Sequence, residues 1–258
     1  MTSLAASQSV PSGSGPLIRY QTVDAFPGWE RAEDLLKQAI ERLNPKTVLE
    51  IGSGANPTLS INDVSRYRVR YITSDRDNAE LGKADPCYEA CCVDMEIGPI
   101  PQDLLDSCDI VFSRMVNEHV RDGLRYHRNI YSILAPGGVA IHAFSTLYTL
   151  PFLANYLMPS RIGEILFNFF GPRDRHQHDK FRAYYSWSRG PTRNAVGRFQ
   201  RLGYEVVCYD GFFGHLYYRS RIPLLHRLER AKTRVLLTFK MPLFCSYAMV
   251  VLRKPVGE

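Results

Sequence analysis

Lys46-Thr47-Val48-Leu49-Glu50-Ile51-Gly52-Ser53-Gly54-Ala55-Asn56-Pro57 is the stretch that fixes the architecture of this chain. Val48, Leu49 and Ile51 are the apolar run expected of a parallel strand covered on both faces. Gly52 and Gly54 let the backbone turn sharply and let a ligand come close to it. A strand that stops at a Gly-x-Gly turn holds a nucleotide-like cofactor at its carboxyl end. The dinucleotide fingerprint asks for a third glycine that packs the next helix on the strand. Pro57 stands at that position, and its ring and missing N–H cannot do that job. A nicotinamide oxidoreductase is therefore a poor reading.

Further strands follow at regular intervals. Val69 to Asp75 ends in an acid, and an acid about 20 residues beyond the glycine loop is placed to accept hydrogen bonds from ribose hydroxyls. Asp75 is equally a residue that turns favour. Cys91-Cys92-Val93-Asp94-Met95 reads as a short third strand and Asp109 to Ser113 as a fourth. Arg114-Met115-Val116-Asn117-Glu118-His119-Val120, a helical stretch to Leu134, the turn Ala135-Pro136-Gly137-Gly138 and the strand Val139 to Phe144 come next.

This order, with Glu-x-Gly-x-Gly at residues 50–54, resembles the class I S-adenosylmethionine-dependent methyltransferases that act on small molecules, sugars and lipids. The resemblance covers residues 46–144 by motif and the rest by topology. It implies an α/β fold: a Rossmann-like, doubly wound, seven-stranded sheet with a reversed last strand and a helical cap insertion. It implies S-adenosylmethionine as the cofactor. Glu50 would contact its ammonium side, and Gly52, Ser53, Gly54 and Asn56 would form the cradle. Asp75 would take the ribose; Arg76, Asp94 and Met95 would surround the adenine; Ser113 or Arg114 would meet the methionyl end. Arg114 has a second reading as a structural ion-pair residue.

At 258 residues the chain suits one well-cored domain. Met1 to Gly15, rich in Ser and Gly, reads as a disordered tail without the features of a signal peptide, and 16–258 as a single methyltransferase domain. No segment offers the apolar length of a membrane span. The six cysteines fall largely in strands or lack the spacing of a metal site, which fits a reduced cytoplasmic protein with no metal. A net charge of +6 leaves RNA as a possible partner. The sequence lacks the Asn/Asp-Pro-Pro-aromatic motif of base-amino methylation after the fourth strand, where Ser113-Arg114-Met115-Val116 stands.

Residues 145–190 exceed what a strand-to-helix connection needs and read as a cap or lid. Within them, 147–170 is apolar and broken by Pro151 and Pro159, which leaves packed helices, a lid, or an interfacial segment touching membrane. The stretch Arg182 to Thr192 and the loop Gly211 to His215 look like methyltransferases of bacterial polysaccharide and glycolipid assembly. A hydroxyl acceptor needs a base. His119 after the fourth strand, and His176 and His178 beside Asp174 and Asp179, are the candidates. His142 reads as a packed core residue. The expected activity is O-methylation of a sugar, glycolipid or secondary-metabolite hydroxyl. The rivals are an RNA-directed methyltransferase, which absence of salt-dependent RNA binding would remove, and a non-catalytic binding module of the same fold.

Overall fold

The computed structural model describes residues 15–148, 153, 182–215 and 223–257. Most of the 145–190 insertion, including 149–152 and 154–181, lies outside the described residues, as do residues 1–14 of the tail. One sheet runs through the molecule, built from β1 (Leu17–Thr22), β2 (Thr47–Ile51), β3 (Arg70–Asp75), β4 (Glu89–Cys92), β5 (Cys108–Arg114), β6 (Leu134–Ser145), β7 (Glu205–Phe213) and β8 (Tyr247–Arg253). The order across it is β1-β7-β8-β6-β5-β2-β3-β4. β8 runs antiparallel to both β6 and β7, while the other neighbours pair in parallel. The reversed last strand is thus present.

The sheet has eight strands, one more than expected. β1 is the addition, lying parallel on the β7 edge with Leu17 opposite Cys208. Arg19 anchors it, donating from Nε and Nη2 to the two carboxylate oxygens of Asp210 at 2.9 and 2.8 Å. The third predicted strand also shifts: the ladder covers Glu89–Cys92, and Val93 bonds to it only through its N–H to Asp75 O at 3.0 Å.

Alternation along the strands builds a core on each face. Val48, Ile110 and Phe112 pack against α1 (Ala32–Leu43), whose Leu35, Leu36, Ala39 and Ile40 are buried at helical spacing. The helix starts at Ala32, and Trp29 ahead of it turns edge-on to Phe26 and Tyr247. Leu49, Ile51 and Val111 face α4 (Gly123–Ile133) and α5 (Arg193–Arg201) on the other side. Shorter helices, α2 (Ile61–Tyr67) and α3 (Asn78–Leu81), follow β2 and β3. The long helix α6 (Pro223–Phe239) joins β7 to β8. Among the described residues no helix is long and apolar enough to cross a membrane.

Candidate active site

The parallel strands β2, β3 and β5 end together, with Ile51 opposite Ser74 and Ser113. Beyond Ile51 the chain turns at Gly52 and Gly54, whose φ values of 71° and 49° lie in the left-handed region. Gly52 and Ser53 donate their N–H groups to Ser74 O at 2.7 and 3.1 Å, which ties the turn to β3 and buries Ser53. A Cβ at Gly54 would stand 3.5 Å from Asp75 Oδ2. The bare Gly54 backbone therefore lies beside this carboxylate, with Glu80 on the same side. Asp77 N–H holds the other oxygen, Oδ1, at 3.0 Å.

Glu50 does not open onto this cleft. Its side chain is 1% exposed. Oε2 accepts from Thr58 N at 2.8 Å and from the Tyr71 hydroxyl, and Oε1 accepts from the Thr58 hydroxyl. The expected contact with a ligand's ammonium gives way to an inward-turned carboxylate that pins the loop after the glycines. Burial pushes the Glu50 carboxyl up, while the Thr58 and Tyr71 donors and Arg114 pull it back. Arg114 Nε lies 3.9 Å from Oε1 and donates to Thr58 Oγ1 at 3.1 Å, and Nη2 donates to Asn56 O at 3.1 Å. About a third of the Arg114 side chain stays exposed.

Along the adenine side expected from the sequence, Arg76 is exposed just after β3. Asp94 Oδ1 accepts from Glu96 N and Ile97 N at 2.7 and 3.2 Å, which closes a turn. Met95 is buried beside Val93 and Ile72 in the core. Its carbonyl accepts from Asn129 Nδ2 at 2.9 Å.

A second polar network fills the opposite face of the sheet. The Ser113 hydroxyl is fully buried, 2.7 Å from His142 Nδ1 and 3.1 Å from Asn117 Oδ1. It is committed there, so the expected contact of this hydroxyl with the methionyl end is replaced, and of that pair only Arg114 keeps part of its side chain exposed. Tyr126 donates to the same Asn117 oxygen at 3.3 Å. His142 and His127 sit ring to ring at 5.3 Å, both enclosed, and burial holds His142 down to about 3 and His127 well below the ordinary histidine range.

Glu118 is buried beside them. Its Oε1 accepts from Ser145 Oγ at 2.8 Å, its Oε2 has no hydrogen-bond partner, and burial pushes its carboxyl up. The Glu118 carbonyl accepts from Tyr184 N and Tyr185 N at 2.7 and 3.0 Å, so the returning end of the insertion lies over the loop after β5. His119 follows, with Nδ1 3.2 Å from Arg182 O. His176 and His178 lie outside the described residues.

The family described as Methyltransferase domain matches residues 28–209, more than half of the chain and all of this site. The chain belongs to that methyltransferase family. No curated protein sequence matches it significantly. Among solved structures, this methyltransferase is similar to the cyclase SpnF, at 14% identity and a TM-score of 0.53, covering 95% of this chain and 90% of that one. It is similar to phosphoethanolamine N-methyltransferase 2 of Haemonchus contortus, solved with phosphomonomethylethanolamine and S-adenosylhomocysteine, at 15% identity and a TM-score of 0.51. That match covers 86% of this chain and 53% of the nematode protein, so the chain spans about half of its length. A methyltransferase of Archaeoglobus fulgidus gives 13% identity and a TM-score of 0.50, covering 86% and 94% of the two chains. At these identities the likeness is one of fold. The methyltransferase uses S-adenosylmethionine, and the left-handed glycine turn beside the Asp75 carboxylate fits that cofactor.

Thr58, Tyr71, Glu118 and Ser145 are functional neighbours that the sequence reading did not single out. Glu118 stands inside the Asn-Glu-His-Val run, where the titratable imidazole of His119 is the more evident candidate. Tyr71 carries a signal only in its register, directly beside Val48 and therefore on the face of Glu50.

Proposed function

We propose that this enzyme methylates a hydroxyl group of a sugar, glycolipid or secondary metabolite, with His119 as the base. The observation that supports it is the His119 contact with Arg182 O. A carbonyl oxygen only accepts, so Nδ1 carries the ring proton and the basic lone pair of the neutral imidazole is on Nε2. His119 closes the short turn Asn117–His119 that follows β5. Bound S-adenosylmethionine supplies an electrophilic methyl on a sulfonium.

The protein's share is to place and to deprotonate. Asp75 accepts from the ribose hydroxyls, and Arg114 offers its charge to the methionyl carboxylate. Gly52, Gly54 and Asn56 keep the backbone close, with Ser53 and Glu50 fixing the loop from beneath. Arg76 and Asp94 border the adenine, while Met95, expected there, supports them from the core. His119 Nε2 takes the acceptor's proton as its oxygen attacks in line, the carbon–sulfur bond breaking as the carbon–oxygen bond forms.

Calorimetric titration with S-adenosylhomocysteine and a labelled-methyl assay over saccharide and glycolipid acceptors test this together. Asp75→Ala should weaken cofactor binding by about 1–3 kcal/mol, the worth of a hydrogen bond to a charged group. His119→Asn should keep cofactor binding and lose about 100-fold or more in kcat. Label arriving on nitrogen or carbon would overturn the O-methyl reading, and unchanged turnover in His119→Asn would overturn the assignment of the base.

A further inference from the structure

Around α6 the side chains divide into three sectors. Glu229, Thr233 and Leu236 point inward and are buried. Glu229 Oε2 faces His215 Nε2 at 3.5 Å, and Leu236 packs with Phe213 and Cys245. A second sector carries Arg227, Arg230 and Arg234, all exposed. The third is apolar: Leu224, Leu228, Ala231, Val235 and Phe239 recur at steps of four, three, four and four, which makes one continuous stripe. Leu224 is 69% exposed, Leu228 59%, Val235 52% and Phe239 71%. Met241, Leu243 and Phe244, just past the helix end, are exposed as well. A contiguous apolar surface rimmed by charge marks an interaction site.

We propose that α6 docks this enzyme on an anionic lipid bilayer. Charge complementarity selects that partner. The arginine band flanks the stripe on one side, Lys232 stands on the other, and Lys240 follows its end. Glu229, the sole acid of the helix, is buried and turned toward His215 and Lys232. A helix with an apolar stripe beside a cationic band lies in the plane of the membrane interface, its stripe among the acyl chains and its arginines at the headgroup phosphates.

Position adds a functional sense. β7 ends at Phe213 and antiparallel β8 begins at Tyr247, with Phe212 opposite Tyr247. α6 therefore lies between two strand ends of the carboxyl rim and packs there on the β1–β7 edge, with Leu236 against Phe213 and Cys245. Asp75, Arg114 and His119 stand on the same rim. A bilayer under α6 would present a lipid-borne hydroxyl to the cleft without removing it from the membrane. This choice among the acceptor classes rests on the methyl-transfer reading, whereas the docking itself does not.

Flotation of the full chain with vesicles tests the docking, using phosphatidylcholine alone and phosphatidylcholine mixed with phosphatidylglycerol, at low and high salt. Wild type should float with the anionic vesicles, less at high salt, and little with the neutral ones. The Leu228→Glu/Val235→Glu double variant should lose binding by at least about tenfold. The Arg230→Gln/Arg234→Gln double variant should lose about tenfold on anionic vesicles only. Both should bind S-adenosylhomocysteine as wild type does, so failure of docking and failure of the cofactor reading are read separately. Absence of wild-type flotation overturns the proposal, as does flotation indifferent to both variants. A salt-insensitive dimer in sedimentation that Leu228→Glu breaks would assign the stripe to a second copy. A large fall in melting temperature in Leu228→Glu/Val235→Glu would assign it to this chain's own insertion.

Discussion

Tyr71 shows how much of the site depends on single donors. Its hydroxyl reaches a carboxylate that sits under the cofactor loop with almost no access to water. Glu50 is stable there because Thr58 and Tyr71 satisfy its oxygens. Tyr71→Phe keeps the ring and removes one donor from a buried charge, which should destabilise the fold by about 1–3 kcal/mol in urea titration. Cofactor affinity should fall with it, since Asn56 and Thr58 are held through the same network. A null effect on both would mean that water replaces the hydroxyl. None of this is visible in Glu-x-Gly-x-Gly itself. The motif announced an acid at the strand end, yet which groups surround that acid is decided by β3 and by the loop at Thr58, brought together only in three dimensions.

At the scale of elements, the strands buried on both faces were plain in the sequence because they are dense in apolar residues, as in Val48, Leu49 and Ile51 around Glu50 and in Ile110-Val111-Phe112. β1 was not, because an edge strand buries little. Leu-Ile-Arg-Tyr-Gln-Thr has no buried position along its length, so hydrophobic pattern had nothing to report. Its anchor is polar. Asp210 is 1% exposed and takes both oxygens' donors from Arg19, itself 30% exposed. Arg19→Ala should therefore cost about 2–3 kcal/mol, more than an exposed ion pair is worth. Arg19→Lys should recover only part of it, since an ammonium cannot copy the two-pronged geometry. Chemical denaturation of the three proteins checks the ranking.

For the whole molecule, the buried histidine pair sets a dependence on acidity. His127 and His142 are held neutral in the fold, whereas in the unfolded chain they gain protons near their ordinary value. Below that value the unfolded state binds more protons than the folded state, so their contribution to stability is present above about pH 6.5 and is lost as the pH falls. Glu118 acts with the opposite sign, because burial raises its carboxyl. The histidine term is isolated by comparison with His127→Phe, whose ring suits the surrounding Trp187, Phe199 and Tyr126. Between pH 7 and pH 5 wild type should lose about 2 kcal/mol more than this variant. Equal slopes in urea titrations at the two pH values would show that His127 is not held neutral. The sequence marked His142 as a core residue from its place in an apolar strand, but its pairing with His127 of α4 follows from packing across the sheet.

The cofactor loop is fastened before any ligand arrives. Gly52 and Ser53 hang from Ser74, and Asn56 and Thr58 from Arg114 and Glu50. A guest at this site meets a surface whose conformational entropy has already been surrendered during folding. Its own association is then a collision with a formed shape, first order in ligand, with no slow ordering phase behind it. Whatever selectivity the enzyme exerts through timing must therefore come from the acceptor's side of the rim.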